Sequence, residues 1–344
     1  MWTHSLVASL AAALGLTAAA FGLAAIERIL AGARTDRESR ATRPRRERFA
    51  DLLEFARELW EQRTAAASPA VRFGLLVWLA AGLFAFAPIP FGTTPHDAGG
   101  TVIPHPVIVP GLAAGLLWAI AAWGSSNVAG IVAAESPADL NGAVRRGTYF
   151  IPLVVALFGA VATSGTLVIE GVIASQIRSG VWNVFPHPLG CLGFLLCAAA
   201  LAGGASNVAT DSAFSSLRRG FPAAFALGRA MQRLLAAYLI VVVYLGGWHA
   251  WAFTADGEAI AGWGEWSLSI IVLHAKVLAV LWAWTRWSGR IPFGEKAWLV
   301  ALALGLFDFA VAIIPFERLF GEEAWLARAA IGWCAVVALI GFRK

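Results

Sequence analysis

Long apolar segments fill most of this chain, and its positive charge lies almost entirely on one side of them. An apolar run of about 17 residues or more can cross the hydrocarbon core of a bilayer as a helix. Such runs occupy Ser5–Ile26, Val71–Phe91, Val107–Ala134, Phe150–Ile173, Leu189–Ala205, Ala224–Gly247, Trp266–Trp284, Ala297–Phe316 and Ala324–Gly341. The expectation is an all-α, polytopic membrane helix bundle of about nine transmembrane helices. With the N-terminus outside, the inner segments are Arg28–Arg72, Arg145–Arg146, Arg218–Arg219, Arg286–Lys296 and Arg343–Lys344, and they hold 20 of the 26 Lys and Arg. Arg178, Arg318 and Arg328 fall on the outer side, the last of them near or within the final span, and Arg229, Arg233 and Lys276 fall within spans. The positive-inside rule then sets the orientation: a multi-pass protein of the inner (cytoplasmic) membrane, N-terminus outside and C-terminus cytoplasmic.

Composition narrows the class further. Hydrophobic residues are 59% of the chain and charged ones 14%, which excludes an ordinary soluble globule. The net charge of +5 would suggest nucleic acid in a soluble protein. In a membrane protein, basic inner loops hold topology and meet anionic headgroups, so the partner implied is the lipid bilayer, with no nucleic acid. The first apolar run lacks a positive n-region and is too long for an h-region, so it reads as a retained span. Cys191 and Cys197 share one span and Cys334 sits in another, a spacing that matches no zinc or iron–sulfur pattern, and no bound metal or cluster is expected.

Residues 1–344 read as a single integral membrane domain, with 27–70 a basic inner loop. Within that loop, residues 47–63 place Phe49, Leu52, Leu53, Ala56, Leu59 and Trp60 on one helical face, with Asp51, Glu54, Arg57, Glu58 and Glu61 around the other. An amphipathic helix beside a span lies in the headgroup plane. Its plainest role is to anchor the loop.

The order of elements resembles one family. Glu27-Arg28 ends the first span, Ala50-Asp51 opens the amphipathic helix, and Ile89-Pro90-Phe91-Gly92 ends the second span. Gly130-Ile131-Val132, Gly142-Ala143-Val144-Arg145, His187-Pro188-Leu189-Gly190, Leu245-Gly246-Gly247-Trp248, Lys276 and Trp284-Thr285-Arg286 follow in register. This pattern is similar to the H subunit of bacterial respiratory complex I, equivalent to mitochondrial subunit 1, and to the membrane anchor subunit of energy-converting hydrogenases. The resemblance covers about residues 5 to 316. It implies a membrane subunit of a complex-I-like NADH (or other donor):quinone oxidoreductase that anchors the hydrophilic redox arm, with other membrane and hydrophilic subunits as partners. It also implies quinone as substrate, bound near Glu27, Arg28, Asp51 and Arg286. Glu27, Arg28 and Arg286 also sit at helix ends at the membrane boundary, where charges ordinarily rest.

The departures are chemical. Family glutamates in spans four and six fall on Val154 and Arg229, and the third inner loop, GGASNVATDSAFSSLRRG, keeps Asp211 as its only acid. A proton relay needs closely spaced ionisable groups in the bundle interior, and here the deep ones reduce to Asp308, Lys276, His274, Arg229 and Arg233. Asp308, Lys276 and Arg229 are the candidates for a charge pathway, with Asp308 and Lys276 expected as a local pair. The alternative function is a divergent non-redox paralogue, serving as scaffold or ion-pathway subunit of a membrane complex. His96, His105, His187 and His249 read as separate solvated loop residues, and the tryptophans near span ends, Trp284 among them, as an interfacial belt.

Overall fold

The computed structural model describes residues 18–24, 57, 68–93, 104–106, 114–201, 214–249, 263–287 and 296–341. Residues 18–24 are helical and supply the described part of the first expected span. Of the expected amphipathic helix, only Arg57 is described, helical and exposed; the rest of 47–63 lies outside the described residues.

Helix α1 (Pro69–Ala85) starts where the sequence dictates: Ser68 at the N-cap accepts from the Val71 amide, and Pro69 needs no amide partner in the first turn. After Phe86 the chain turns into a short strand, β1 (Pro90–Thr93), which pairs antiparallel with β2 (Pro104–Pro106). Helix α2 (Gly115–Val132) then returns beside α1. Gly74 makes that pairing close, because a Cβ there would strike Ala133 and the Ala129 carbonyl. Two bonds fix the register at opposite ends: Ser68 Oγ donates to Glu135 Oε1 (3.0 Å), and Trp118 Nε1 donates to the Phe84 carbonyl (2.9 Å).

The fourth expected span is divided. A polar helix, α3 (Pro137–Gly147), precedes α4 (Phe150–Ser164), and a third helix, α5 (Ile169–Ser179), follows it. Helix α3 is capped by Ser136 and carries Asp139 in its first turn and Arg145 and Arg146 in its last, which suits the helix dipole at both ends. Pro152 offers no amide to residue 148, so the backbone tightens into turns at 148–149 before α4 proceeds. Gly165, in the left-handed region at φ 68°, then stops α4. The apolar run therefore spans as far as Ser164, and Ile169–Ile173 belongs to a separate amphipathic turn of chain.

Helices α6 (Pro188–Leu201), α7 (Ser215–Gly220), α8 (Pro222–Tyr244), α9 (Trp263–Trp287), α10 (Ala297–Ile313), α11 (Glu317–Phe320) and α12 (Ala324–Gly341) complete the chain. Helices α4, α6 and α10 pack tightly on one another. Gly305 lies against the Ala156 backbone, where a Cβ would clash, and Gly193 lies close against the Ala301 carbonyl. Helix α8 touches α1, α4, α5, α6, α7 and α9, and its apolar window is 83% buried. Gly115–Val132, Pro137–Ser164 (α3 and α4 together) and Pro222–Tyr244 are long and apolar enough to cross a membrane, and shorter apolar helices stand beside them. Leu76, Ile151, Leu278, Trp282 and Val337 face outward with about two thirds of their surface uncovered. An apolar core with an apolar exterior is what a bilayer, rather than water, selects.

Candidate functional site

Among the described residues, three polar constellations hold the charged residues that the sequence singles out. The first lies toward the end that carries the exposed Arg145, Arg218 and Arg219, called here the basic end. Arg146, in the last turn of α3, is 4% exposed. Its guanidinium donates to the Leu201 carbonyl and to Gln232 Oε1 (2.9 Å), and it sits 4.4 Å from the Phe214 ring centre and 5.4 Å from that of Trp78. Gln232 passes the chain on, donating to Ser126 Oγ (2.7 Å), which itself donates to the Trp123 carbonyl (2.6 Å). Trp78 is stacked on Phe225 with centroids 5.6 Å apart and leans on Phe214 at 4.5 Å. Gly228 makes space for that indole, since a Cβ there would overlap it. Arg229 and Arg233 flank Gln232 on α8, both half-buried, with Arg229 5.9 Å from the Phe225 ring centre. On the outer flank of this region Ser216 Oγ donates to the buried Asp139 (2.9 Å), tying α7 to α3. Sequence reasoning missed Arg146 as an interior residue. Its only signal is its place one turn before an apolar helix, with Arg145 beside it to serve the surface.

The second constellation corrects two expectations. Asp308 on α10 does not pair with Lys276: its Oδ2 lies 3.1 Å from His187 Nδ1, with both side chains buried at 3% and 0% exposure. Thr163 Oγ1 stands 3.1 Å from the other ring nitrogen, Nε2. His187, expected as a solvated loop residue, is thus an interior one. The sequence places it directly before Pro188, where α6 begins, and its amide bonds the Asn183 carbonyl (2.8 Å). Gly159 and Gly190 form the walls, for a Cβ at either would meet the Asp308 carboxylate. Tyr244 closes the side, donating to the Ala156 carbonyl at 2.7 Å.

The third is where Lys276 is found. Its ammonium donates to the carbonyls of Leu245, Gly247 (3.1 Å) and His249, and lies 4.1 Å from the centre of a Trp182 ring. These carbonyls follow the end of α8, where Gly246 and Gly247 take positive φ and leave the last backbone acceptors open. Gln176 and Asn183 finish the cap: Gln176 Nε2 donates to the Val242 carbonyl (3.0 Å), its Oε1 accepts from the amides of Asn183 and Gly246, and Asn183 Nδ2 donates to the Val243 carbonyl (2.8 Å). Burial, and then the Lys276 charge, hold His249 below its ordinary pKa; burial raises the Glu170 carboxyl on α5.

Of the four residues expected at a quinone mouth, Glu27, Arg28 and Asp51 lie outside the described residues, and Arg286 is placed only by its backbone in the last turn of α9. The three charge-pathway candidates are described and are not joined by any bond to one another: Asp308 is with His187, Lys276 with the end of α8, and Arg229 with the ring of Phe225. Trp284, expected in an interfacial belt, is instead buried in the core. Among the described residues no group of three or more His, Cys, Asp or Glu is placed to hold a metal ion. Cys191 and Cys197 are buried and Cys334 exposed, all as free thiols.

An all-α membrane helix bundle is the class this fold defines. Residues 7–313 match the NADH dehydrogenase family, and the chain belongs to it. It is 29% identical to the H subunit of the NADH-quinone oxidoreductase of Geobacillus kaustophilus over 218 residues, covering 58% of this chain and 62% of that protein. It is 26% identical to the H subunit of the F(420)H(2) dehydrogenase of Methanosarcina mazei over 212 residues, covering 54% of this chain and 58% of that protein. These alignments span less than two thirds of the relatives' own length. In fold, the chain superposes on a chain of the membrane-bound sulfane sulfur reductase, an archaeal respiratory membrane complex, with a TM-score of 0.64 at 16% identity, over 90% of this chain and 99% of that one.

Proposed function

We propose that this chain is the membrane subunit of a complex-I-like quinone oxidoreductase. It lies in the cytoplasmic membrane as one integral domain over 1–344, N-terminus outside and C-terminus inside, anchors a hydrophilic redox arm and forms part of a quinone cavity. The observation that carries the reading is the family match over residues 7–313. Relatives named as H subunits of two dehydrogenases with different donors agree with it. The donor is set by the hydrophilic partners, because the sequence carries no motif for a redox centre. An apolar slot between helices suits an isoprenoid tail, and a few polar groups at its mouth orient the headgroup; Glu27, Arg28, Asp51 and Arg286 take that role.

The same reading assigns no proton relay to this chain. A relay needs ionisable groups within reach of one another. Asp308 is held by a histidine between two wall glycines, and Lys276 is spent on backbone carbonyls. Turnover in membranes tests both halves. Asp51→Asn and Arg28→Ala are expected to lower quinone-dependent electron transfer at least tenfold, while Asp308→Asn leaves protons moved per electron unchanged. A fall in that ratio in Asp308→Asn, with electron transfer intact, contradicts the second half; full turnover in both mouth variants contradicts the first.

A further inference from the structure

Between α2 and the α3–α4 pair runs an open groove of about 480 Å³, lined by Leu117, Ile120, Ala121, Gly124 and Asn127 on one side and Gly147, Phe150 and Val154 on the other. On α2 the lining residues recur every three or four positions, so the groove follows the helix axis for about 15 Å at 1.5 Å per residue, roughly half of a ~30 Å hydrocarbon core. Every lining side chain is apolar except one. Asn127 is 6% exposed, and neither its amide oxygen nor its amide nitrogen has a hydrogen-bond partner. A buried primary amide left without partners is unfavourable, and a ligand that supplies those partners relieves it. Its neighbour Ser126, by contrast, is fully engaged with Gln232 and Trp123.

A shallow, almost wholly apolar groove that follows one helix suits a single extended hydrocarbon chain laid along α2. Its flanks, Trp118, Val128 and Ile151, are 45%, 49% and 65% exposed, so it opens onto the lipid-facing side of the bundle. Asn127 and Gly147 mark the end of the groove that lies toward the basic end of the bundle, the end carrying the exposed Arg145, Arg218 and Arg219. We infer that this groove seats one acyl chain of an anionic phospholipid, with the Asn127 amide donating to the ester carbonyl and the phosphate lying over the basic end near Arg145. An ester carbonyl meets the donor half of the amide, and a headgroup hydroxyl or water at the interface meets the acceptor half. The anionic headgroup follows from the charge at that end, which a neutral quinone would not need. This inference does not rest on the quinone reading.

The test uses the full chain in mild detergent. Phosphatidylglycerol bearing a photoreactive acyl chain, supplied in mixed phosphatidylglycerol–phosphatidylethanolamine vesicles, should label Leu117, Ala121 or Val154 in the unmodified protein. After exhaustive washing, lipid extraction should recover about one phospholipid per chain. Gly124→Leu projects a side chain into open groove, since its Cβ would meet only the Phe150 ring at 3.5 Å, and should cut that recovery at least fivefold. Asn127→Ala should cut it severalfold, and Asn127→Gln should restore part of it. Labelling confined to other segments, recovery unchanged in Gly124→Leu, or an isoprenoid quinone recovered in place of phospholipid would each overturn the assignment. The labelling arm needs no variant, so it stands even where a substitution impairs folding.

Discussion

His187 and Asp308 lie 121 residues apart in sequence and meet in a space that exists because Gly159 and Gly190 have no side chains. Removing one partner of a buried hydrogen-bonded pair leaves the other unsatisfied, at a cost of about 1–3 kcal/mol. His187→Ala is therefore expected to lower thermal stability in detergent sharply. Asp308→Asn, which keeps an acceptor of the same shape for the ring, should cost far less, and equal losses in the two would contradict the geometry. Gly228 allows a second contrast. A Cβ there overlaps the Trp78 indole, so Gly228→Ala should destabilise by about 1–3 kcal/mol through overpacking. Gly147 has nothing within 4 Å of the place a Cβ would take and lies in a helix, so Gly147→Ala should be neutral or gain up to about 1 kcal/mol. Unfolding midpoints of the pair read both outcomes. None of these partnerships was legible in the sequence. Local pattern marks a histidine before a proline as a loop residue, and only the packing of α4, α6 and α10 turns it inward.

At the scale of elements, the sequence was far more informative. Hydropathy fixes that a helix exists wherever an apolar run is long enough, and described helices fall on every expected span from Pro69 onward. Boundaries are another matter. The run from Phe150 to Ile173 reads as one span because Gly165 and Thr166 interrupt its hydropathy little, yet a left-handed glycine ends the helix. The cap on α8 was equally hidden: Lys276 looks like a deep charge in search of a carboxylate, while backbone carbonyls 27 to 31 residues upstream satisfy it. Its removal gives an element-scale prediction. Lys276→Met should leave the end of α8 open and raise hydrogen exchange at the amides of residues 241–249, with the middle of α8 unchanged. Exchange that stays at the wild-type rate would mean that Gln176 and Asn183 alone hold that end.

On the scale of the whole molecule, the two positions where the resemblance implies glutamates can both be placed. The position expected for one family glutamate, Val154, lines a lipid-facing groove, and the other, Arg229, stands among aromatic rings beside a second buried guanidinium. A bundle arranged this way has its charges committed to holding helices together. Its function then depends on what it joins. Composition of the native assembly is the most direct measurement: the chain is purified from membranes in mild detergent and its partners are quantified by mass spectrometry. The account predicts a defined complex containing an iron–sulfur hydrophilic subunit and further membrane subunits, with the hydrophilic part released when Arg43, Arg45 and Arg46 are changed to Glu while this chain stays inserted. A stable and active monomer, or an assembly without any redox subunit, would contradict it.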